Sequence, residues 1–149
     1  MQKVEFMPAG KDKQTAIEFV CKLTGSLYLG EEQDISVGSK INIRCESATE
    51  ADIMNEKMWV YPKELVLPHN IANQNKEDFP ILISYPGLKV DTNLYNILIN
   101  LNPDLPQDIK AYKKSIQIII EDKAELRRRA AESWKACIKA NMNPELIKL

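Results

Sequence analysis

Three kinds of side chain in this chain of 149 residues could carry chemistry: one histidine, three cysteines, and a block of cations beside a tryptophan near the end. His69 stands between Pro68 and Asn70, past a short apolar run that reads as a strand. Parallel sheets hold their reactive groups at strand ends, so His69 as a general base would make the chain a small hydrolytic or nucleotide-dependent enzyme. No nucleophile or orienting carboxylate is beside it in sequence, and no Gly-x-Ser-x-Gly elbow occurs. A histidine that hydrogen-bonds its own loop is the simpler role. Cys21, Cys45 and Cys137 are odd in number and widely spaced, with no Cys-x-x-Cys pair. That spacing argues against a disulfide framework or a zinc site, and for small buried thiols in a reducing compartment. After the first predicted strand the chain reads Pro8-Ala9-Gly10-Lys11-Asp12-Lys13, with a single glycine. A phosphate cradle needs several glycines so that backbone N–H groups can approach, and neither Gly-x-Gly-x-x-Gly nor a P-loop is present. No cofactor is expected, and no metal.

The cations suit recognition better than catalysis. Arg127, Arg128 and Arg129 are adjacent, and Lys135 follows. On a helix, Arg128 and Lys135 share a face, and Arg127 and Trp134 share the neighbouring one. Ala131 keeps the groove between them shallow, and Ile120 leaves the preceding strand close by. A rigid indole beside fixed cations fits a short peptide that is acidic and ends in an apolar residue. The competing reading has Trp134 in the core and the arginines solvated. A second cluster, Met58-Trp59-Val60-Tyr61-Pro62 with Val66, is a protein contact if exposed and core if buried.

Net charge is −1, but unevenly spread. From Lys110 onward ten Lys/Arg face five Asp/Glu, a net of +5; before it ten face sixteen, a net of −6. A near-neutral chain with one basic end neutralises few phosphates, which disfavours bulk DNA binding and favours an acidic protein surface. A direct nucleic-acid binder using the basic helix is the third class of function. No apolar run approaches membrane-span length. Residues 1–9 lack the basic start and apolar stretch of a signal peptide, so the expected location is cytoplasmic.

The elements that must position these groups alternate. Strands are expected over 4–7, 40–45, 64–67, 80–85, 95–101 and 115–120, and helices over 13–29, 47–58, 106–112 and from Asp122. Ser47 or Thr49 is the expected N-cap of the second helix, and Asp122 with Glu125 a capping box for the last. Residues 71–78 read as a loop, and Pro144 sets the outer limit of the last helix. The expectation is a single α/β domain over 1–149. It is three-layered, with a largely parallel sheet and helices on both faces, Rossmann-like but without the nucleotide-binding glycines.

Met58-Trp59-x-x-Pro62-x-x-x-Val66-x-Pro68-His69-Asn70 resembles the signature of the chi subunits of bacterial DNA polymerase III. So do Pro80-Ile81-x-Ile83, the strand from Ile97 to Leu101, and Leu126-x-x-x-Ala130-x-x-x-Trp134-Lys135-Ala136. The resemblance implies an accessory clamp-loader subunit without catalysis of its own. It implies pairing with the psi subunit, binding of the acidic, Pro-Phe-ended tail of single-stranded DNA-binding protein, and contact with a repair helicase. DNA would be touched only indirectly, and no membrane is involved. The implied tail site is Ile120, Arg127, Trp134 and Lys135, with Lys123 and Arg128 beside them. The implied psi-facing or helicase-facing patch is Trp59, Pro62 and Val66. The chain departs from the family pattern at Ala131, where a basic residue is common, and at Val66, where an aromatic is.

Overall fold

In the computed structural model the residues described are 3–31, 39–61, 63, 65–72, 79–121 and 124–147. Among them seven strands form one sheet: β1 (Lys3–Gly10), β2 (Ile41–Arg44), β3 (His69–Ile71), β4 (Ile81–Ser84), β5 (Ile97–Asn100), β6 (Lys114–Ile120) and β7 (Asn143–Leu146). Their order across the sheet is β3-β4-β2-β5-β6-β1-β7, and every pairing is parallel. Three α-helices accompany them: α1 (Lys13–Tyr28), α2 (Ala48–Met58) and α3 (Ala124–Lys139).

Alternation along the strands divides the sheet into two faces. Ile41, Ile43, Ile81, Ile83, Ile97, Ile99, Ile116 and Ile118 turn to α1 and α2, where they meet Val20, Leu27, Met54 and Met58 in the larger core. Their neighbours turn the other way and are mixed. Val4, Phe6 and Leu98 join Cys137, Met142 and half-buried Trp134 under α3. Asn42, Ser84, Asn100 and Gln117 on that side are buried polar groups. They form two hydrogen-bonded groups: in one, Ser84 Oγ donates to Asn42 Oδ1 (2.6 Å) and Asn42 Nδ2 to Tyr112 OH (2.9 Å). In the other, Asn100 Nδ2 donates to Gln117 Oε1 (2.7 Å) and to the Asp104 carbonyl (2.9 Å), and Gln117 Nε2 to the Asn102 carbonyl (2.9 Å).

Local chemistry sets the helix ends. Asp12 caps α1, its carboxylate accepting from Thr15 N at 2.8 Å. Of the two candidates, Ser47 caps α2, accepting from Glu50 N, while Glu50 reaches back to accept from Glu46 N. Near the start of α3 Glu125 accepts from Arg128, while Asp122, the expected cap, is outside the described residues. Its end is a Schellman motif: Asn141 takes φ 60°, and the N–H groups of Asn141 and Met142 donate to the carbonyls of Ile138 and Cys137.

Four expectations are corrected. The third strand begins at His69 rather than spanning 64–67, because Pro68 has no N–H for a ladder; Leu67 is buried in the core instead. Ile71 is therefore strand, not loop. The helix expected over 106–112 is only a 3-10 turn, Ile109–Ala111. Pro144 does lie beyond the end of α3 at Lys139, as expected, and it sits inside a strand that was not expected, β7, an edge strand paired with β1 alone, where a missing N–H can point to solvent. The first strand also runs past Pro8, since β7 pairs only as far as Phe6.

Asn100 is closed to water and bonds on both sides, so Asn100→Ala leaves Gln117 and Arg44 short of partners. Urea unfolding should register a loss of about 2 kcal/mol.

Candidate functional site

The candidate residues fall on two surfaces. The first is α3. Arg127, Ala131, Trp134 and Ile138 follow one another along one flank, and Arg128, Glu132, Lys135 and Lys139 along the next. Arg127 and Lys135 are exposed, and Ile138 is 57% exposed. Trp134 is half-buried, its ring 5.0 Å from that of Phe6 at a tilt of 60°. Its inner edge belongs to the core and its outer edge to the surface, so each of the two readings of this residue describes part of it. Leu146 on β7 is in register with Phe6, which puts it on the same face, and it is half-exposed. An open trough of about 500 Å³ is lined by Glu132, Lys135, Ala136, Ile138 and Lys139.

The three arginines begin three different stripes. Arg128 is held by Glu125 and Glu132, each at 2.5 Å. Arg129 turns to the opposite flank, where Asp104 (2.7 Å) and Glu46 (3.4 Å) bind it, and Asp104 raises its pKa further above the ordinary value. Arg127 alone lies beside Trp134. Ile120 is not brought to the indole: it is 5% exposed, belongs to the core under α1 and α2, and meets Leu126 and Ala130 in a seam of about 10 Å³. The strand residue on Trp134's side is Ile119, which packs with the same cluster. Period-two alternation could have found it, because Phe6 and Ile119 both point to α3. Lys123 lies outside the described residues.

The second surface is the corner where α2 ends and β3 begins. Trp59 is 60% and Val66 73% exposed, with Val60 and Ile53 also open to solvent. Pro62 is outside the described residues. The Trp59 ring lies 4.4 Å from that of His69, tilted by 51°. His69 is 4% exposed, its Nδ1 lying 2.6 Å from the Leu67 carbonyl and its Nε2 3.1 Å from that of Asn55. Both ring nitrogens meet main-chain oxygens and the indole covers the ring, so it cannot serve a substrate as a base. Its work is to tie the end of α2 to β3 and support Trp59.

The other reactive groups are equally withdrawn. All three thiols are buried. Burial pushes Cys21 up to about 12 and raises Cys45 and Cys137 as well. At the first strand-to-helix turn, the Asp12 carboxylate occupies the N-terminus of α1, and its bond from Thr15 N holds its pKa below the ordinary value. A Cβ on Gly10 would lie 2.9 Å from Thr15 Cγ2, so this glycine serves close packing, not a phosphate. Among the described residues no helix is long and apolar enough to cross a membrane.

What remains is a parallel α/β protein with two exposed surfaces among the described residues, one cationic and apolar, the other aromatic. Residues 1–145 match the family described as DNA polymerase III chi subunit, HolC. The DNA polymerase III subunit chi of Haemophilus influenzae is 29% identical over 81% of this chain and 78% of its own length. That of Escherichia coli is 29% identical over 71% of each, and that of Pseudomonas aeruginosa 21% identical over 91% of this chain and 88% of its own. The chain belongs to the DNA polymerase III chi subunit family.

Two measurements check this geometry. In Trp134→Phe the remaining indole, Trp59, should be quenched by acrylamide several-fold more strongly than Trp134 is in Trp59→Phe. Ellman's reagent should find no reactive thiol in the native chain and three in urea. The raised thiol values also fix a direction with pH. Below pH 9.0 the thiols are protonated whether folded or not; above it only the unfolded chain ionises, so stability falls from 9.0 towards about 12. The decline should be shallower in Cys21→Ala.

Proposed function

We propose that this chain is a replisome adaptor that tethers DNA polymerase III to template coated with single-stranded DNA-binding protein. Family membership supports a replisome accessory role in DNA replication. The observation that carries the finer reading is the shelf on α3, where Trp134, Ile138 and Leu146 are bordered by Arg127, Lys135 and Lys139. Cations beside an apolar ledge take a peptide whose carboxylates precede a Phe end. In this reading Ile119, not Ile120, lies beside the indole, and Arg128 contributes only after parting from Glu125 or Glu132. The Trp59 and Val66 corner is the docking patch for psi, or for a helicase that uses the same surface. The chain has no catalytic step of its own, works in the cytoplasm and meets DNA only through partners. Weak contacts suffice, because tethering raises effective concentration.

A peptide ending Asp-Asp-Ile-Pro-Phe tests the first surface by fluorescence anisotropy. Binding should weaken as salt rises, and fall about tenfold in Arg127→Glu plus Lys135→Glu. Removal of the terminal Phe should abolish it. Affinity unchanged by the double substitution removes the tail site from this helix. Trp59→Ala plus Val66→Asp should prevent co-elution with psi while leaving peptide affinity intact; loss of both would mean a damaged fold rather than a lost patch.

A further inference from the structure

A cleft of about 660 Å³ lies on the α3 side of the sheet, away from both surfaces above. It opens where the chain leaves β2 towards α2 on one face and leaves β5 along the other. That divergence at the carboxyl ends of adjacent strands is where parallel sheets receive ligands. Asn42 and Ser84 make the floor, and their polar atoms are already bonded to each other and to Tyr112. The walls are mostly apolar or aromatic: Leu88 and Val90 on one side, Leu105 and Pro106 on the other, with the Tyr85 and Tyr112 rings.

Arg44, the last residue of β2, lines this cleft, half-buried. Its protein bonds both leave from Nη1, to Asn100 Oδ1 (3.3 Å) and the Asp104 carbonyl (2.8 Å). No carboxylate among the described residues reaches it within ion-pair distance; Asp104 gives its carboxylate to Arg129, and Asp108 stands exposed at the rim. Burial pulls the guanidinium below its ordinary pKa, the signature of a charge short of compensation. Nη2 and Nε retain donors in the fork geometry that fits a carboxylate or phosphate. The volume is in the range of small-molecule sites.

We propose that this cleft binds a small organic anion, its charged head on Arg44 and its flat body between the segments 85–90 and 105–112. A phosphate head on a nucleobase and a carboxylate on an aromatic ring share this chemistry. The lack of a glycine cradle excludes a pyrophosphate.

Two-dimensional amide NMR on the full chain tests the site with adenosine monophosphate, indoleacetate and neutral adenosine. At least one of the two anions should shift Arg44, Ser84 and residues 85–90 and 105–112 in a saturable way, and adenosine should bind about tenfold more weakly than its phosphate. Saturation by one anion alone identifies the head group and supports the site. Arg44→Gln should weaken the bound anion about tenfold. Val90→Trp fills the cleft without touching Arg44 and should abolish binding, which keeps the test valid if Arg44→Gln fails to fold. The proposal is overturned if no anion saturates these resonances, if adenosine binds as well as its phosphate, or if Val90→Trp binds as well as the native chain.

Discussion

Parallel strands cannot be joined by tight turns; each connection has to cross a face of the sheet, and right-handed crossovers decide which face. Here the chain moves one way across the sheet from β1 to β2 to β3, and the other way from β3 onward to β7. The first two moves carry α1 and α2 and cover one face with apolar helices. The later moves carry loops and only one long helix, α3, on the other. A loop lying on a sheet brings main-chain carbonyls with it, and they need donors. Asn100 and Arg44 supply the Asp104 carbonyl, Gln117 that of Asn102, and Ser133 that of Pro103. The amides inside the sheet are thus a consequence of topology, and the cleft at Arg44 is the part of that face no helix reaches.

The same loop sets the charge pattern of α3. Asp104, projecting from it, draws Arg129 to the inner flank, where Glu46 joins; Glu46 also lies 3.6 Å from Lys13, which pairs with Glu50 at 2.7 Å. The Lys13–Glu50 contact is a charge pair without well-aligned hydrogen-bond geometry. This chain of charges ties α3, the 102–104 loop and the starts of α1 and α2 together at one end of the sheet. Arg128 is occupied by glutamates of its own helix. A run of three arginines therefore yields one cation, Arg127, beside the indole.

Much of this was legible in advance. Strong strands announced themselves by isoleucine at alternating positions, as in Ile41 and Ile43, and α1 and α2 by periodic apolar residues and caps. Elements created by tertiary context were not. Asn143-Pro144-Glu145-Leu146 has no strand propensity; it is a strand because the Schellman turn at Asn141 delivers it to the edge of β1, where Lys3 and Glu145 pair at 3.1 Å. Ile119 and Ile120 are equally apolar; alternation along β6 puts them on opposite faces, and the register against β1 shows that Ile119 shares the face of Phe6. Helix geometry put Arg127 and Trp134 on one flank, but could not say that Phe6 would hold the inner half of the indole.

The sheet order has a mechanical consequence for an adaptor. The Trp59 corner adjoins β3, one edge; Trp134 rests on β1, next to the other edge. Five inter-strand spacings separate β3 from β1, roughly 24 Å. The two surfaces also lie on opposite faces, α2 covering one and α3 the other. The two surfaces therefore share no residues. The central strands between them have almost no freedom to rearrange, since their side chains are buried on both faces and their registers run without a break. Among the described residues, the strands between the two surfaces offer no second register through which binding at one edge could alter the other. In the proposed function the chain therefore gains by tethering alone, with each contact free to break and re-form while the other holds.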